Sequence, residues 1–137
     1  MFFGKKKKVN NSENLEKITA LLIHAAKIDE NYSESEEKII EEVILQLGAK
    51  KEHIKDIIIQ AKKIENNANQ ILDFTKEVKN LREEDKINII EALWKIIYSN
   101  NEADIYETNL MRRLAGLLYI DNKTMGDIKE KIKNEIA

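Results

Sequence analysis

The chain has 137 residues, 23 basic and 25 acidic side chains, a formal charge of -2 and no cysteine. That length suits one domain, and the near balance of charge excludes the global positive field that draws a protein onto nucleic acid. The lack of cysteine excludes disulfides, thiolate metal sites and cysteine nucleophiles. With no proline and four glycines, little interrupts helix formation, so the expectation is an all-α domain.

The first residues, Met1, Phe2, Phe3 and Gly4, lead into Lys5, Lys6, Lys7 and Lys8, with no long apolar segment behind them. This pattern fits neither a signal peptide nor a spanning helix, so a cytoplasmic location is expected. Residues 1–12 read as a basic, disordered tail. At most, Phe2, Phe3 and the four lysines would give weak association with an anionic membrane surface, peripheral at the inner membrane. Residues 13–137 then form the single domain.

From Glu13, the residues Leu15, Ile18, Leu22, Ala25 and Ala26 recur at helical spacing and predict an amphipathic first helix. Ile39, Ile40, Val43, Ile44 and Leu47 renew the stripe in a second helix that begins near Ser33 and stops at Gly48. Ile54, Ile57, Ile58, Ala61 and Ile64 mark a third helix. After the joint at Asn66, Asn67, Ala68 and Asn69, a shorter fourth carries Ile71, Phe74, Val78 and Leu81. Ile87, Ile90, Leu93, Trp94 and Ile97 mark a fifth. Leu110, Met111, Leu114 and Leu118 mark a sixth, and Met125, Ile128 and Ile132 a seventh. About seven helices in one bundle-like domain result.

The chain also repeats itself. Adding 71 to a position carries Leu22 to Leu93, Ser33 to Asp104, Glu36 to Glu107, Val43 to Leu114, Leu47 to Leu118 and Ile57 to Ile128. Two units of three helices, spanning about residues 13–65 and 83–136, are implied. Neither can bury both of its faces alone, so the units should share one core with pseudo-two-fold character.

The turns between the first two helices of each unit concentrate side-chain oxygens. The first offers Asp29, Asn31, Ser33 and Glu36, and the second Asn100, Asp104 and Glu107. A hard cation such as Ca²⁺ takes six to eight oxygen ligands from a flexible segment, and these residues are candidates for some of them. The spacing is not that of an EF-hand, because Glu34 stands where the turn glycine belongs and Ile40 where the bidentate glutamate belongs. A second reading needs no metal: Ser33 with Glu36, and Asp104 with Glu107, have the spacing of capping boxes that satisfy orphan backbone N–H groups. Asp29 is explained least by capping, since a carboxylate at a helix C-terminus opposes the dipole.

These two acidic turns between paired helices resemble the TerB (tellurite-resistance) family. The likeness extends to Asp73, Phe74 and Thr75, to Glu91, Ala92, Leu93 and Trp94, and to Glu107 with the run from Leu110 through Met111, Arg112, Arg113 and Leu114 to Ala115. The resemblance covers nearly the whole chain. It implies an internally duplicated helical domain, found also at the N-terminus of a membrane-anchored J-domain co-chaperone. It also implies acidic turns suspected of binding divalent metal, and roles in tellurite and other stress responses. The family turn typically opens Asp-Gly, whereas Glu30 follows Asp29 here and the second turn opens Asn100, Asn101.

Other chemistry is sparse. His24 reads as a satisfied interior or half-buried histidine, His53 as a surface residue, and neither forms a Glu-x-x-His pair. Trp94, which falls on Ile23 in the repeat, reads as core or core edge. Of Arg112 and Arg113, one is expected to pair with an acid across the repeat and the other to be solvated. No nucleophile–base pair or glycine-rich phosphate loop occurs, so an enzyme is not expected. The expectation is a binding or scaffold module in a stress-related assembly, taking a divalent cation at its turns and an unidentified protein partner. The alternative is a metal-free interaction or co-chaperone-associated domain.

Overall fold

The computed structural model describes residues 12–27, 34–67, 72–76, 78–98 and 105–136. Among them are the long helices α1 (Ser12–Ala26), α2 (Glu34–Gln46), α3 (Ile54–Asn67), α5 (Glu83–Tyr98), α6 (Ile105–Leu117) and α7 (Asn122–Ile136), with a single turn, α4 (Leu72–Thr75). No strand occurs among the described residues, and the fold is a helical bundle. The tail expected at residues 1–12 lies outside the described residues except for Ser12, which opens α1.

The repeat is realised element by element. Shifted by 71 residues, α2 coincides with α6, and α1 with α5 to within a residue. α1 packs on α3 as α5 packs on α7, and α1 and α5 meet between the two pairs. Both units close their middle helix in the same way. Ala49 N–H donates to the Ile44 carbonyl at 2.9 Å, and Ile120 N–H donates to the Ala115 carbonyl at 2.9 Å, the long bond of a Schellman motif in each case. The motif requires a left-handed residue, which is Gly48 (φ 109°) in the first unit and Tyr119 (φ 58°) in the second.

The sequence pattern predicts a one-sided stripe on the first helix, and here the structure differs. Ile18, Ala20, Leu21, Leu22, Ile23, Ala25 and Ala26 are all buried, so α1 is covered almost all round, and α5 likewise from Ile89 to Tyr98 apart from Glu91 and Lys95. Each is a central helix with neighbours on several sides, which removes the need for a polar face. The fourth helix also departs from expectation. It is one turn long, and Val78 and Leu81, predicted to lie on it, are buried in the turns that follow. α4 lies in the segment between the two units and packs against both α1 and α6, with Phe74 fully buried.

Two exchanges between the units follow directly from side-chain chemistry. Leu15 of α1 corresponds to Lys86 of α5, and both are buried. The Lys86 ammonium is accommodated because it donates to the Leu118 carbonyl at 2.9 Å, beside the C-terminus of α6, where a cation also meets the negative end of the helix dipole. The exposed Tyr119 ring lies 6.0 Å from the same ammonium.

The second exchange is at Lys50 and Asp121. Asp121 accepts a 2.6 Å bond from Thr124 N–H, which holds its carboxyl below the usual range, and α7 is α-helical from Asn122. Lys50 has no oxygen to offer, makes no side-chain cap, and is followed by a 3₁₀ turn (Lys51–His53) before α3 begins. Lys50→Asp is therefore expected to convert that turn to α-helix and to stabilise the protein, and Asp121→Ala to destabilise it. Urea unfolding of the two variants checks both signs.

Candidate functional site

The candidate oxygen ligands fall mostly beyond the description. Asp29, Asn31, Ser33, Asn100 and Asp104 lie outside the described residues, and Glu107 sits in the first turn of α6 without a described side chain. Glu36 is the exception. It is fully buried in the first turn of α2 and is not without an interaction there. Among the described residues, no group of three or more His, Cys, Asp or Glu side chains could hold a metal ion.

What the structure does define is the platform bordering the first turn, where the ends of α1 and α3 meet. Lys27, directly after α1, donates to Glu65 at 2.7 Å and to Asn66 at 3.1 Å, both on α3. His24 Nδ1 lies 3.3 Å from the other Glu65 oxygen, and its ring lies beside Phe74 at 6.1 Å between centroids. Lys62 joins α3 to Glu37 of α2 at 3.2 Å. Ile23, Lys27, Lys62, Glu65 and Asn66 line a shallow cleft of about 210 Å³. Burial pushes the Glu65 carboxyl up, but the hydrogen bonds and positive charges of Lys27 and His24 outweigh it and hold the group below its ordinary 4.5.

The corresponding end of the second unit has different chemistry. Ile23 gives way to Trp94 and Lys27 to Tyr98. The two rings stack at 5.9 Å, and the Lys129 ammonium lies 5.5 Å from the indole. The Trp94 N–H is buried and has no hydrogen-bond partner among the described residues. Burial, with the nearby Glu130 charge, raises the Tyr98 hydroxyl above its usual pKa. Ion pairs thus tie the helices beside the first turn, and aromatic packing beside the second.

Several side chains stand where the sequence puts them. His24 is half-buried and satisfied, His53 is exposed, and Trp94 is core. Arg112 and Arg113 are both exposed. Sequence reasoning missed Lys27 and Glu65, because periodicity assigns both to a polar face and carries no sign that distant charges on two helices converge.

The lowered Glu65 pKa sets a direction for pH dependence. Its contribution to stability is complete above about 4.5, the unfolded value, and is lost as pH falls through the lower folded value. Glu65→Gln is expected to cost about 1 kcal/mol at neutral pH and to match the parent below the folded pKa of Glu65. Denaturant midpoints of both proteins, measured across the acid range, check this convergence.

No curated protein and no solved structure matches the chain. A family model described as tellurite resistance protein TerB matches residues 15–130. The match takes in α5, α6 and nearly all of α1, and with them both duplicated turns. The chain belongs to the TerB family.

Proposed function

We propose that the protein is a non-catalytic TerB-type binding module that takes a divalent cation at residues 29–36 and engages a protein partner in a stress-related assembly. The observation that carries this reading is the duplicated helix pair. α1 with α2 and α5 with α6 repeat in register, and each pair is joined by an oxygen-rich stretch. Asp29, Asn31, Ser33 and Glu36 supply hard oxygen donors of the type Ca²⁺ takes, and water would complete the shell. The first stretch is the better candidate, because Asn100 replaces its leading carboxylate in the second.

The α1–α3 platform would serve this role by holding the helix end still. Lys27 stands two residues before Asp29, and its bonds to Glu65 and Asn66 anchor the chain where the turn departs. A preorganised departure point lowers the ordering cost of closing a loop around an ion.

A metal-free interaction or co-chaperone-associated domain is the alternative reading. It is favoured by Leu45 and Ile59, large apolar side chains that α2 and α3 leave exposed among the described residues. No helix among the described residues is long and apolar enough to cross a membrane.

Amide NMR titration of the EDTA-treated protein with Ca²⁺, Mg²⁺ and Zn²⁺ separates the readings. The metal reading expects saturable shifts centred on residues 29–36. It also expects stabilisation of about 2.7 kcal/mol at a hundredfold excess over Kd, abolished by Asp29→Ala. A spectrum unmoved at millimolar metal would leave the metal-free module.

A further inference from the structure

Three residues toward the end of α6 are exposed in a way that the packing of the bundle does not require. Arg112 and Arg113 face solvent, and among the described residues neither side chain has an ion pair or a hydrogen bond. Tyr119, just beyond the helix, keeps 70% of its surface exposed while holding a left-handed backbone (φ 58°), a conformation that bulky residues rarely adopt. The repeat shows that the shared backbone needs none of the three. In the 71-residue register they fall on Glu41, Glu42 and Gly48, and α2 with its Schellman turn forms equally well on those residues. Tyrosine in place of glycine adds strain without burying the ring, so stability does not account for it. The surface around it is of one sign. The described side chains of α6 include no carboxylate, and the Lys79 ammonium lies 6.0 Å from the Tyr119 ring. The carboxylate that follows, Asp121, is engaged by Thr124 N–H at the start of α7.

We propose that this face of α6 binds an acidic peptide segment of a protein partner. The Arg112 and Arg113 guanidiniums would take carboxylates as bidentate pairs, and the Tyr119 ring would give the peptide a flat apolar surface to lie against. The distance suits a short segment. From Arg112 to Tyr119 the helical rise amounts to roughly 10 Å, which about three extended residues span. Other anionic polymers fit this surface less well. Anionic lipid is recognised by clusters of about four to eight cations, and nucleic acid by about six to ten phosphate contacts. Here two guanidiniums and one ammonium stand on a chain whose formal charge is -2. The proposal rests on the protein-partner part of the reading above and not on its metal part, because the face includes none of residues 29–36.

The test is fluorescence anisotropy of a labelled, end-capped octaglutamate titrated with the full chain at about 10 mM ionic strength, where the Debye length is about 30 Å. Saturable binding is expected. The paired variant R112E with R113E should raise Kd about tenfold or more, whereas K38E with K55E, which changes the net charge equally on α2 and α3, should leave it within about twofold. Tyr119→Gly should also weaken binding while leaving the thermal midpoint unchanged or higher, a combination that a purely structural role for the ring would not give. Absence of binding in low salt would overturn the proposal, as would equal losses from the two charge-reversed pairs. So would tighter capture, through the same arginines, of phosphatidylglycerol vesicles or of single-stranded DNA than of octaglutamate. Failure of these outcomes strikes this surface alone, since the cation reading stands or falls separately on the amide shifts that Ca²⁺ produces at residues 29–36.

Discussion

Two helices that are apolar on nearly every side, α1 and α5, can leave water only by packing against one another and being wrapped by the rest of the chain. Neither unit of three helices has enough partners to cover its own central helix. α3 covers one side of α1, and α7 covers the matching side of α5. The remaining sides are closed by α2 packing on α5 and by α4 packing on α1. The duplication is therefore a condition of stability, because each unit supplies surface that the other must bury.

Once that shared core is set, the two units are free to differ where they meet solvent, and they do. The first keeps glycine at the left-handed residue after α2. The second holds Tyr119 there, with its ring beside the ammonium of the buried Lys86. The ion pairs of Lys27 and His24 with Glu65 have their counterpart in the stacked Trp94 and Tyr98. These exchanges preserve the path of the backbone while changing what each helix end offers to its surroundings.

Much of this was legible in the sequence. Helical spacing locates the six long helices, Gly48 marks the end of α2, and the 71-residue register carries the duplication. Those signals are local or periodic, so they survive in one dimension. The sequence could not show that α1 and α5 are central, because a stripe records which residues are apolar and not how many neighbours a helix acquires. Nor could it place Glu65 against Lys27, bury Lys86 under the end of α6, or shorten α4 to one turn, since each depends on contacts between segments far apart in the chain. Composition, periodicity and repeat determined the class of fold and its two-unit plan. Only the tertiary structure decided which charges meet, because electrostatic pairing depends on distance in space, and the polar face of a helix carries no record of what will pack beside it.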